Sequence, residues 1–138
     1  MKIKFLSVAQ PVNSDELVTN FTASVEKDND FGYEAYTFVE PSQGVSNRIE
    51  FNENEINIFA GATTLKLRMN EWILNVFNIQ ATPNSPVSNF DIWTYLTDFN
   101  VSRDNQIDVI EFKYILTTKQ EDLDSKVGDY KITLTISK

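Results

Sequence analysis

Carboxylates are the most plentiful reactive side chains in this chain: 20 Asp and Glu stand against 12 Lys and Arg, with no Cys and no His. A pair such as Glu50 with Glu55, or Asp108 with Glu111, has the chemistry for general acid and base work, one carboxyl giving a proton while the other takes one. Spacing singles out no pair, and charged residues are seldom buried unless partnered, so polar strand faces and turns account for most of them. The absence of His and Cys removes thiolate nucleophiles, disulfides, Cys/His zinc sites and the commonest general base. There is no Gly-x-Ser-x-Gly elbow, no Gly-rich phosphate loop and no dinucleotide fingerprint. Asp28-Asn29-Asp30-Phe31-Gly32 fails as a calcium loop, because its glycine comes one place early and no Glu stands twelfth. Glu121-Asp122-x-Asp124 reads as a solvated turn. The expectation is therefore a non-enzyme with no catalytic residues, no cofactor and no metal.

The elements that carry these side chains are strands. Apolar and polar residues alternate with a period of two along most of the chain, as half-buried antiparallel strands require. In the closing run Tyr130, Ile132, Leu134 and Ile136 point one way, and Lys131, Thr133, Thr135 and Ser137 the other. The same pattern predicts strands at 3–9, 17–26, 32–40, 47–52, 56–60, 63–69, 72–80, 90–99, 107–118 and 127–137. Lys27-Asp28-Asn29-Asp30, Asn70-Glu71 and the charged run 119–124 read as turns, and Thr82 to Asn89, with Pro83 and Pro86, as the one extended loop. Residues 90–99 also fit a helix capped by Asn89 with a Trp93, Leu96, Phe99 stripe, but their β-rich composition favours a strand. Asparagines number 14 against four glycines. Asn tolerates the left-handed backbone of tight turns, so Asn29, Asn52, Asn54, Asn70, Asn100 and Asn105 are expected where Gly would be usual.

Some ten strands with short links, in 138 residues, make a single domain spanning 1–138. An open sheet of that width would leave exposed edges and an uncovered apolar face, so a meander closed into a β-barrel of about eight to ten strands is expected, with a β-sandwich as the alternative. The net charge of -8 repels a phosphate backbone, which argues against nucleic acid. The N-terminus lacks the pattern of a signal peptide and no run is apolar enough for a membrane helix, so a cytoplasmic protein with no membrane partner is the expectation.

Three stretches carry a resemblance: Arg68-Met69-Asn70-Glu71-Trp72, the late strand Ile110-x-Phe112-x-Tyr114-x-Leu116, and the closing strand from Gly128 to Ile136. In these the chain resembles the YwiB-like family of small bacterial proteins of unassigned function. The resemblance implies a calycin-type, lipocalin-like barrel and brings no catalytic residues with it. The chain departs from the family pattern at Asn70, where Gly is usual, and in the proline loop.

Alternation fails in two places. Trp72, Leu74 and Val76 face one way while Ile73, Phe77 and Ile79 face the other, and Phe90, Ile92, Trp93, Tyr95 and Leu96 repeat the situation. A strand apolar on both sides needs a second cover: another part of the chain, a bulge that switches the phase, a partner, or a ligand. Two functions follow. One is a binding module whose barrel holds a small, partly apolar ligand, lined by Trp72 and Trp93, with Arg68 near the rim as an anion contact. The other is an interaction protein that uses the apolar strand face for homodimerisation or partner docking. The residues that carry either one are Arg68, Trp72, Leu74, Phe77, Trp93 and Tyr95.

Overall fold

Ten strands form in the computed structural model, which describes residues 1–79 and 82–138, the side chain of Ile79 apart. They are β1 (Lys2–Pro11), β2 (Leu17–Asp30), β3 (Tyr33–Val39), β4 (Ser46–Phe51), β5 (Glu55–Ala60), β6 (Thr63–Arg68), β7 (Trp72–Ile79), β8 (Ser88–Arg103), β9 (Ile107–Thr117) and β10 (Lys126–Ser137). Among the described residues the only helical piece is one 3-10 turn, Leu123–Ser125, inside the charged run before β10. Residues 90–99 are strand, as their β-branched and aromatic content favours. Gln80, the expected end of the seventh strand, and the side-chain direction of Ile79 lie outside the described residues. No helix among the described residues is long and apolar enough to cross a membrane.

The strand order is β6-β5-β4-β3-β2-β1-β10-β9-β8-β7, all antiparallel. Consecutive strands pair everywhere except between β6 and β7, and β1 pairs with β10 over its whole length, from Lys2 opposite Ser137 to Pro11 opposite Gly128. The sheet thus curls into a nearly closed barrel with one unsealed seam, between the two strands joined by the Asn70 turn. That turn forms as expected. Asn70 has a left-handed φ of 57° and the Glu71 amide donates to the Arg68 carbonyl; the Asn70 amide donates to the Leu96 carbonyl of β8, and no ladder joins β6 to β7 beyond the Arg68–Glu71 bridge.

Across the seam, side chains replace the ladder. The Asn75 carboxamide accepts from the Lys66 amide (2.7 Å) and donates to the Lys66 carbonyl (3.3 Å), and the Thr94 hydroxyl donates to the same carbonyl (2.7 Å). Asn75 and Thr94 are buried. Buried backbone groups need partners, and a β-strand edge without a neighbour has none unless side chains supply them.

Inside, the alternating residues of all ten strands meet in one core that includes Ile3, Tyr36, Phe38, Ile49, Phe51, Ile56, Leu67, Leu96, Ile110, Phe112, Leu134 and Ile136. Tyr36, Phe112 and the aliphatic side chains around them fill the middle of the barrel.

Several local expectations change. Residues 27–30 extend β2 and are not a turn; the reversal comes at Phe31 and Gly32, whose φ values of 48° and 82° give the left-handed pair a two-residue hairpin needs. Of the six asparagines expected at left-handed positions only Asn70 occupies one; Asn13, which was not among them, is another. Asn29 and Asn100 lie within strands, and Asn52 turns the chain through its side chain, which accepts from the amides of Asn54 and Glu55.

Candidate functional site

A bulge decides which side chains of β8 face inward. The pairing of β8 with β9 slips between Leu96 and Asp98, leaving Thr97 unopposed. Before the slip Ile92, Thr94 and Leu96 point into the barrel; after it Phe99, Val101 and Arg103 do, because one extra residue inverts the alternation. These three reach the end of the barrel where β2 and β3 overhang it. Between them lies a cleft of about 900 Å³, open to solvent. Its apolar floor is Phe51, Phe99 and Val101, the two rings meeting edge to face at 5.8 Å. Its walls include Asn29, Asn52, Asn100, Asp30 and Glu53, and the hairpin tip with Tyr33 and Phe31, the latter 94% exposed.

One flank of the cleft is ionic. Arg103 meets Glu34 with both terminal nitrogens, Nη1 to Oε1 at 2.9 Å and Nη2 to Oε2, and its Nη1 also donates to Asp108 Oδ2 at 3.2 Å. Lys27 Nζ lies 2.9 Å from Glu34 Oε1, and the Tyr36 hydroxyl donates to the same oxygen at 2.9 Å. Burial alone would raise the Glu34 carboxyl, but the hydrogen bonds from Arg103, Lys27 and Tyr36 outweigh it and hold it down at about 2. Burial, followed by the bond to Glu34, pushes the Tyr36 hydroxyl well above its ordinary value. Asp108 is only 1% exposed; its second oxygen sits 2.9 Å from Lys138 Nζ, a charge contact without hydrogen-bond alignment. At the cleft, then, Glu34 is an ionised and saturated acceptor, and Arg103 is a half-exposed cation fixed from behind.

The residues singled out from the sequence lie elsewhere. Trp72, Leu74, Trp93 and Tyr95 point to the outside of β7 and β8, since Ile73, Asn75 and Phe77 take the inward positions of β7 and Thr94 and Leu96 those of β8. Trp72 and Trp93 therefore do not line the interior. The Trp72 and Tyr95 rings pack at 4.9 Å on that outer face. Phe77 faces inward near the opposite end and meets Phe90 edge to face at 5.5 Å. Arg68 is on the outer face too, and its charge is engaged: Nε lies 3.1 Å from Glu55 Oε2, and Nη1 donates to Asn57 Oδ1 at 2.9 Å. Asn57 in turn donates to Glu50 Oε1. Glu50 and Glu55, one of the carboxylate pairs with acid and base potential, are thus separated by Asn57 and Arg68 and form no dyad. Asp108 and Glu111 point to opposite faces of β9.

Phe99, Val101, Arg103 and Glu34 were not identified from the sequence as site residues. The signal was present in the spacing: inward Leu96 is followed by Phe99, three residues on, and an odd step within a strand marks a phase switch. Glu34 carries no such mark, because its inward direction follows only from Tyr36 and Phe38 and its burial only from residues distant in sequence.

Among solved structures, the chain is similar to the crystal structure of the ywiB protein from Bacillus subtilis, with a TM-score of 0.68 over 99% of this chain and 91% of that one, at 11% identity. At that identity the likeness shows a YwiB-like fold and nothing finer. No protein-family model matches the chain, and no curated protein matches it either.

Proposed function

We propose that the chain is a non-catalytic binding protein, lipocalin-like in architecture, that holds a small, partly apolar ligand at the open end of its barrel. The observation that carries this reading is the cleft over Phe51, Phe99 and Val101, whose apolar floor and ionic flank lie side by side at one end of the barrel, above a middle occupied by buried side chains. Small-molecule sites combine a concave apolar surface with a few fixed polar groups, and volumes of roughly 300–1,000 Å³ are usual for them. Native mass spectrometry of freshly purified protein, with uptake of an apolar fluorescent dye, tests it. A retained small molecule or dye uptake is expected in the native chain and not in Val101→Trp, where the indole fills the cleft. Absence of any retained molecule, with equal dye response in both proteins, overturns it.

A second reading rests on the outer face of β7 and β8, where Leu74 and Val76 are exposed beside Trp72, Trp93 and Tyr95. Such a patch suits homodimerisation or partner docking. Sedimentation at rising concentration separates the two: concentration-dependent dimers that Leu74→Lys abolishes support this reading, and a monomer throughout removes self-association.

A further inference from the structure

We infer that the ligand of this cleft carries one carboxylate beside its apolar body, and that Arg103 is the residue that reads it; this rests on the binding function proposed above. The guanidinium has five N–H donors in a plane. Three are used, two on Nη1 by Glu34 and Asp108 and one on Nη2 by Glu34. The Nε–H and the second Nη2 hydrogen have no partner among the described residues. In any guanidinium these two lie along one edge, at the spacing of the two oxygens of a carboxylate. The Arg103 side chain is 44% exposed and borders the cleft beside Phe99 and Val101.

Three features make the free edge more than a solvated arginine. Glu34, itself fixed by Lys27 and Tyr36, and the buried Asp108 hold the guanidinium in one orientation, so little side-chain entropy is lost when a ligand docks. The apolar floor beside Arg103 gives the body of such a ligand a surface to bury against, so the charge and the apolar contact act on one molecule. The charges facing Arg103 also select the ligand. At the base Lys27, Arg103 and Lys138 oppose Glu34 and Asp108, three cations against two carboxylates, leaving one positive charge. At the rim Asp30 and Glu53, neither ion-paired among the described residues, disfavour a second negative charge. A monocarboxylate meets one cation and passes the rim; a phosphate or other dianion pays repulsion there.

Titration of the 15N-labelled protein with 2-naphthoate and with neutral 2-naphthamide, followed through the backbone amides of Phe99 and Val101 and the Arg103 Nε–H, tests the inference. Naphthoate should bind about tenfold tighter or better, as expected for a charge-assisted bidentate pair, and should shift the Nε–H. Arg103→Lys, which keeps the charge and loses the fork, should bring that preference below about threefold. Should that variant not fold, the Asp30→Asn, Glu53→Gln double variant tests the same point at the rim: naphthoate should tighten about two- to fivefold and naphthamide stay unchanged. Equal binding of both probes in the cleft overturns the carboxylate assignment and leaves the binding function standing, as does a neutral molecule retained by the purified protein. Failure of both probes to shift Phe99 and Val101 overturns the inference outright.

Discussion

At Asn75 one carboxamide does the work of a stretch of strand ladder. It satisfies both backbone groups of Lys66 across the seam, and its amide nitrogen also lies 3.3 Å from the Thr94 hydroxyl. Asn75→Ala leaves the Lys66 amide at the seam without its partner, a loss of about 1–2 kcal/mol in chemical denaturation. Amide exchange at Lys66 should quicken in the same variant, whereas the β1–β10 ladder keeps its protection. Unchanged stability and unchanged exchange at Lys66 would show that the seam does not depend on this side chain. The sequence hid this role. Asn75 sits between Leu74 and Val76 in a strand apolar on both sides, and no local feature separates a buried latch from one more turn-forming asparagine.

At the scale of elements, closure depends on a glycine with an ordinary φ. Gly128 lies where β10 crosses the end of β1, and a Cβ there would stand 2.8 Å from the Gln10 carbonyl oxygen and 3.1 Å from Pro11 Cα. Both obstacles are backbone, so they cannot swing aside. Gly128→Ala is expected to cost about 1–3 kcal/mol through overpacking, read as a lowered denaturation midpoint; a midpoint equal to that of the parent would mean that β1 gives way freely. Strand positions were largely legible because each has a buried face: Ile49 and Phe51 against Arg48 and Glu50, or Ile132, Leu134 and Ile136 against their threonines, need no tertiary knowledge. Strand ends were less so. β2 runs four residues beyond its expected end because Lys27 and Asn29 continue the inward phase as polar groups, Lys27 paired with Glu34, and polarity at an inward position reads as a turn until its partner is known. The cleft was least legible of all, being assembled from β2, β3, β4, β8 and the turn after β4.

For the whole molecule, acid is the informative stress. Glu34 titrates at about 2 when folded, below its ordinary 4.5. A carboxyl depressed on folding stabilises the native state above its ordinary value, and that contribution is lost as pH falls from about 4.5 towards 2. The shift corresponds to roughly 3 kcal/mol at most, and the half-exposed Arg103 reduces this through solvent screening to ~1–2 kcal/mol. Stability measured between pH 6 and 3 should fall less steeply for Glu34→Gln than for the parent chain; parallel curves would assign the acid sensitivity to other carboxylates.

The seam and the long ladder also exchange the places that chain connectivity would give them. Neighbours in sequence, β6 and β7, stay unladdered, while the farthest elements, β1 and β10, pair along the whole of β1. During folding β1 to β6 and β7 to β10 can each curl by local hairpins alone, and the two curls become one sheet only when residues 2–11 find 128–137. Non-local pairing of this kind is the slow event in β proteins. Gly128→Ala, which injures that ladder, should therefore slow refolding more than it speeds unfolding: the route into the barrel passes through the union of its two ends.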